Sequence, residues 1–139
     1  MLDIRTFLHE SFTVGSAFGI EAKVMLWINA GSGQVLALEP RLLAIEGKVQ
    51  VFGKEHPLEL QLALGEPVLD ETGVTTGHCT LRIGQEADGE AVYRVEDGSL
   101  ILLGTVDGHP TRVVLRPDER HSLLDIDGKR KASLRLTAS

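Results

Sequence analysis

Glu96-Asp97-Gly98-Ser99-Leu100-Ile101-Leu102-Leu103-Gly104, followed by His109-Pro110-Thr111-Arg112-Val113-Val114-Leu115, reads as a strand, a glycine turn and a returning strand. An earlier stretch repeats the phrase: Glu46-Gly47-Lys48-Val49-Gln50-Val51-Phe52-Gly53, then His56-Pro57-Leu58-Glu59-Leu60-Gln61-Leu62. Proline has no N–H to give a ladder and is tolerated at the first residue of a strand. Its ring also holds the preceding residue extended. Each His-Pro is therefore expected to mark where a return strand starts and so to set its register. That role accounts for His56 and His109 without chemistry.

Outward from these two phrases, turn signals recur at the spacing of an antiparallel meander. Asp-Gly occurs at 88–89, 97–98, 107–108 and 127–128. It suits two-residue hairpin turns, whose central residues both need positive φ. Further breaks fall at Gly31-Ser32-Gly33, Gly53, Gly65-Glu66-Pro67 and Asp70-Glu71-Thr72-Gly73. Between them apolar residues alternate with period two. Ile20, Ala22, Val24, Leu26 and Ile28 make one face of a predicted strand, with Glu21, Lys23, Met25 and Trp27 on the other. Leu58 to Leu64, Cys79 to Ile83, Ala91 to Val95 and Leu134 to Leu136 alternate in the same way. Strict alternation buries one face and solvates the other, the habit of antiparallel sheets. The expected fold is all-β: a single antiparallel meander barrel, lipocalin-like, spanning 1–139 as one domain. Ile4, Phe7, Leu8 and Phe12 fit one face of a short N-terminal helix capped by Asp3, or alternatively a strand; a helical turn over one barrel end is the preferred reading.

Composition removes several function classes. The net charge of −6 argues against a large phosphate-binding surface, so no nucleic-acid partner is expected. The charge is uneven: after Pro110, seven Arg/Lys face four acids, a balance of +3 that leaves −9 on residues 1–110. Two differently solvated faces account for this split; the sharper reading is an anion-binding or self-complementary patch around the Gly128-Lys129-Arg130-Lys131 turn. No apolar run is long enough to span a bilayer, and residues 1–20 show no secretory core, so the expected location is cytoplasmic. A single cysteine, Cys79, allows no internal disulfide.

Five histidines and Cys79 are the candidates for base, nucleophile or ligand work at neutral pH. His78 and Cys79 are adjacent on a strand and point to opposite faces, so they cannot chelate one ion together. Cys79 shares a face with Leu81 and Ile83 and is expected to be buried. Asp107-Gly108-His109 is the one place where a carboxylate and an imidazole fall close together, in a tight turn. No nucleophile elbow, phosphate loop or paired-cysteine motif occurs. No catalytic residue, metal site or cofactor is assigned, and the reading leans away from an enzyme.

The stretch from Cys79 to Leu115 resembles the central segment of the YceI-like proteins, lipocalin-like barrels that bind polyisoprenoid lipids. Gly98, Leu100, Gly104, Pro110, Val113 and Leu115, preceded by Tyr93-Arg94-Val95, carry the likeness. It implies a barrel with an apolar small-molecule ligand inside. The lining expected is Leu26, Leu60, Leu62, Leu81, Tyr93, Leu102 and Val113. A second function class rests on the exterior: a homodimer or assembly module with a packed core and an exposed Met25/Trp27 patch, since Trp and Met are enriched at interfaces.

Overall fold

The computed structural model describes residues 2–24, 27–84, 86–87, 91–129 and 131–138, with the backbone alone for Val24, Glu86 and Ala87. A 3-10 turn at Ile4–Phe7 precedes β1 (Ala17–Val24), β2 (Trp27–Glu39), β3 (Leu42–Val51), β4 (Lys54–Leu64), β5 (Val68–Leu69) and β6 (Thr75–Ile83). β7 (Glu86–Ala87), β8 (Ala91–Glu96), β9 (Ser99–Val106), β10 (His109–Pro117), β11 (Ser122–Asp127) and β12 (Lys131–Ala138) follow. Each long strand pairs antiparallel with the next, β4 with β6 and β6 with β8, while the two-residue β5 and β7 lie against β6. β12 returns to β1 over six pairs, from Phe18↔Ala138 to Lys23↔Ser133. Ten strands thus close an antiparallel meander barrel.

The inward faces are those the period-two pattern marks. Phe18, Ile20, Leu43, Ile45, Leu60, Leu62, Leu81, Leu102, Val113, Leu124 and Leu136 are all buried in one cluster. Ten strands enclose more room than eight, whose side chains just fill the bore. The N-terminal segment supplies the difference. Asp3 caps the 3-10 turn, accepting from the Arg5 N–H at 3.0 Å, and Ile4, Phe7, Leu8 and Phe12 enter one barrel end. Phe12 stacks on Phe18 with ring centroids 5.3 Å apart. The Ile4 N–H donates to the Pro40 carbonyl at 2.7 Å, and the His9 N–H to Ser122 Oγ at 2.8 Å, tying the plug to the rim.

Glycines on the inward face make room for large neighbours. Gly33 and Gly47 pair across β2 and β3. A Cβ on Gly33 would lie 2.6 Å from Phe18 Cζ, and one on Gly47 would lie 3.1 Å from Ile20 Cδ1. Gly77 does the same for Tyr93, whose hydroxyl donates to the Gly65 carbonyl at 2.8 Å. Burial holds the Tyr93 hydroxyl above its ordinary pKa, so it stays a donor.

Four local expectations need correction. Residues 20–28 are not one strand: β1 ends at Val24 and pairs with β2 through Val24↔Trp27, a hairpin that swaps the faces beyond it. His109-Pro110 opens β10 as expected, but His56-Pro57 lies inside β4, which starts at Lys54. The prolines are tolerated for a related reason. At Pro57, β4 has only β3 beside it, since β6 joins from Leu60; at Pro110, β10 has only β9, since β11 joins from Arg112. A missing N–H there breaks no second ladder. The two phrases are also not equivalent in register, for His109 directly follows its turn whereas His56 stands opposite Val49. Finally, Asp97-Gly98 and Asp107-Gly108 are two-residue turns with positive φ at both positions, but Asp127 is the last residue of β11 and pairs with Lys131. Asp88-Gly89 lies outside the described residues.

Three carboxylates organise the plugged end. Asp118 accepts from the N–H groups of Arg120 and His121, at 2.8 and 2.6 Å. Asp70 Oδ1 accepts from the Thr72 N–H, the Thr72 hydroxyl and the Val74 N–H. The Arg5 guanidinium holds Asp3. The Arg5 hydrogen bond lowers the pKa of Asp3, the Thr72 hydroxyl that of Asp70, and backbone donors that of Asp118. A depressed folded pKa contributes stability that is complete above the ordinary carboxylate range and is lost as pH falls through the folded value.

Two outcomes follow from the filled interior and its polar clamps. Gly33→Ala should destabilise the protein by about 1–3 kcal/mol through overpacking against Phe18 and the Glu46 carbonyl, read as a lower midpoint in urea unfolding. On acidification through the carboxylate range, amide exchange in residues 2–12 should speed up before exchange in the β1–β12 ladder. Equal and simultaneous loss of protection in both would contradict the clamp.

Candidate functional site

The meander places connections alternately at the two barrel ends. The plugged end has the N-terminal segment and the connections after β2, β4, β8 and β10. The opposite rim has the connections β1–β2, β3–β4, β6–β8, β9–β10 and β11–β12. At the first end Ile4, Phe7, Leu8 and Phe12 are buried while Val14, Val68 and Leu69 are exposed; at the second, Trp27, Ile28 and Phe52 are exposed.

Trp27 opens β2 with 59% of its surface exposed. It shares the inward-pointing face with Gly31, Gly33 and Val35, so its indole stands over the barrel mouth rather than on the outer wall. Trp27 is exposed, as the sequence reading expects, but it lies on the face of Gly31 and Val35 rather than with Lys23. Ile28, expected inside, pairs with Lys23 and is 68% exposed. Both reversals have one cause, the antiparallel return of β2 along β1 through Val24↔Trp27. Met25, the other half of the expected patch, lies outside the described residues, as does Leu26 of the expected lining.

Phe52 completes the surface. Its ring meets Trp27 edge-on, with centroids 6.0 Å apart and planes at 73°, the geometry aromatic quadrupoles favour. Yet it is 71% exposed. Phe52 and Gly53 form the two-residue loop between β3 and β4, with φ of 51° and 76°. In the two other hairpins of this form among the described residues, that slot is filled by Asp97 and Asp107, also at positive φ. Aspartate visits this region readily, whereas for a bulky residue it is an outlier costing about 1–2 kcal/mol. Phe52 is therefore held out, in strain, against both local backbone preference and the hydrophobic effect. Its signal was present in the sequence as Phe-Gly in a slot typical of Asp-Gly, but only the hairpin register reveals that slot.

Of the expected lining, Leu60, Leu62, Leu81, Tyr93, Leu102 and Val113 are all buried in the common core. They pack with the plug. Between Leu8, Phe12, Leu43, Leu60, Leu115 and Leu136 a cavity of about 10 Å³ remains, room for about one water.

The polar candidates serve the framework. His9 reaches Ser11 Oγ at 2.6 Å and the Glu119 carbonyl at 3.1 Å. His121 Nδ1 lies 2.7 Å from Thr137 Oγ1. Asp107 pairs with Lys129 at 3.3 Å, across the β9–β10 and β11–β12 turns. His78 is exposed and Cys79 buried, on opposite faces. Among the described residues no group of three or more His, Cys, Asp or Glu side chains could hold a metal ion, and no helix is long and apolar enough to cross a membrane. On the outer wall a groove of about 500 Å³ includes Leu36, Glu46, Glu59 and Arg82, with the two glutamates directly opposed across β3 and β4.

No family model, no curated protein and no solved structure matches this chain.

The strain at Phe52 is separable from its contact with Trp27. Phe52→Ala and Phe52→Asp both remove the ring, but only aspartate suits the turn. The aspartate variant should be the more stable of the two by about 1 kcal/mol, measured as unfolding free energies. Equal stabilities would mean that the turn carries no strain.

Proposed function

We propose that this barrel is a non-catalytic assembly module whose working surface is the Trp27–Ile28–Phe52 rim. The observation that carries the reading is Phe52: an aromatic side chain kept exposed at a strained turn position. Backbone strain of this kind persists where it serves a site. Exposed aromatics clustered at one place are the residues that dominate association energies. The interior supports the same conclusion from the other direction. A lipid held by Leu26, Leu60, Leu62, Leu81, Tyr93, Leu102 and Val113, as the YceI-like resemblance implies, would have to displace the plug formed by Phe7, Leu8 and Phe12. Burying large apolar side chains of this kind stabilises by about 1.5–3 kcal/mol each, so a ligand must replace several such terms at once.

Native mass spectrometry of freshly purified protein distinguishes these uses in one measurement. The expected spectrum has a dimer at twice the chain mass, reduced to monomer by Trp27→Ala, with no added mass. A monomer carrying a bound apolar molecule would overturn the assembly reading in favour of the interior one.

A further inference from the structure

His9 joins the plug to residues 119–122, between β10 and β11. Its backbone N–H donates to Ser122 Oγ at 2.8 Å, and its Nε2 lies 3.1 Å from the Glu119 carbonyl oxygen. Its Nδ1 accepts from the Ser11 N–H at 3.2 Å and lies 2.6 Å from Ser11 Oγ. These partners leave the ring one protonation state. A carbonyl oxygen only accepts, so Nε2 must carry a hydrogen. A backbone N–H only donates, so Nδ1 must be bare. The surroundings suit the neutral ring alone. The same residue also seats the plug, because the His9 carbonyl accepts from the Phe12 N–H at 3.0 Å. Ser11, whose N–H the ring holds, lies inside that turn.

We propose that His9 is a pH-sensitive latch on the plug: a proton on Nδ1 breaks its bond with Ser11 and loosens residues 8–12. The charged ring turns an N–H toward the Ser11 N–H, setting two donors face to face. Ser11 Oγ can rotate to accept, but the backbone N–H cannot. Imidazole is the side chain that changes charge between about pH 5 and 8, above the range in which carboxylates are protonated. The closed segment needs a bare Nδ1, so proton uptake favours the open one, and closure weakens as pH falls. Leu8 and Phe12, on either side of His9, are buried. With Leu43, Leu60, Leu115 and Leu136 they surround the cavity of about 10 Å³, which Ser122 also lines. Opening residues 8–12 therefore uncovers apolar surface at the barrel end opposite Trp27. The latch goes beyond the assembly reading and does not depend on it.

The charged groups on the elements around His9 do not replace this bond. Glu10 is on the plug, Asp118, Glu119, Arg120 and His121 are on the loop, and Arg135 is on β12. Among the described residues His9 forms no ion pair. Asp118 is committed to the N–H groups of Arg120 and His121, and His121 Nδ1 to Thr137 Oγ1. Glu10, Glu119, Arg120 and Arg135 are exposed, so solvent and salt weaken their reach.

Amide hydrogen exchange at about pH 7.5 and about pH 5.5, corrected for intrinsic rates, tests the latch. In the original chain the opening of residues 8–12 should rise about fivefold at the lower pH, the equivalent of one ordinary hydrogen bond. The β1–β12 ladder should keep its protection at both. His9→Asn offers the Ser11 N–H an oxygen that accepts at either pH, so its opening should not change. His121→Asn removes the neighbouring imidazole and should leave the response in place. Circular dichroism verifies that both variants keep the barrel. An original chain that shows no response would overturn the latch. So would a response that survives His9→Asn or disappears in His121→Asn.

Discussion

The barrel depends on the pairing of its first and last strands. Every other pairing between long strands joins neighbours along the chain, and β1–β12 alone converts an open meander into a ring. Phe18, Ile20 and Ala22 on β1 meet the level of Leu134 and Leu136 on β12 through this register. Without it, β1 and β12 would each expose a row of unpaired N–H and C=O groups, the template for edge-to-edge aggregation. The core would also stand open along one side. Closure is a contact of nearly maximal sequence separation, so its loop entropy must be overcome by the burial that it completes.

Closure at ten strands creates the next constraint, because the bore must be filled. Two devices fill it, and they work on the same residue. Gly33 and Gly47 remove side chains from the inner face so that Phe18 and Ile20 can reach across β2 and β3. The N-terminal segment then brings Phe12 onto Phe18. The glycines and the plug are therefore parts of one packing solution, in which the wall is thinned where a large side chain must lie. Tyr93 repeats the device on Gly77, and its hydroxyl reaches the Gly65 carbonyl where β4 gives way to β5.

Much of this was legible in the sequence, because period-two alternation is a property of each strand taken alone. The inward positions of β4, β6, β8 and β12 were all readable from it, and Asp97-Gly98 and Asp107-Gly108 announced their turns. What could not be read was anything that depends on pairing. The run Glu21 to Ile28 alternates without a break, and nothing local marks an interruption between Val24 and Trp27. Only the return of β2 along β1 shows that the faces exchange there, and with them the placement of Trp27 and Ile28. Phe52 was hidden for the same reason. A phenylalanine before a glycine is unremarkable until Val51↔Lys54 defines a two-residue loop around it. The exposed aromatic pair falls where local rules are broken, and local rules are what a sequence displays most clearly.

The contrast between the two barrel ends supplies the last step. Both ends carry aromatic side chains, and in both an aromatic pair is formed. At the plugged end Phe12 and Phe18 are buried, and three depressed carboxylates clamp the surrounding loops. At the rim Trp27 and Phe52 touch each other yet remain more than half exposed, and Phe52 sits in a turn that disfavours it. An edge-on aromatic contact contributes about 0.5–1.5 kcal/mol beyond area burial, which is no more than the strain at Phe52. The pair therefore adds little to the stability of the isolated barrel. On the assembly reading proposed above, its energetic return comes from covering both rings.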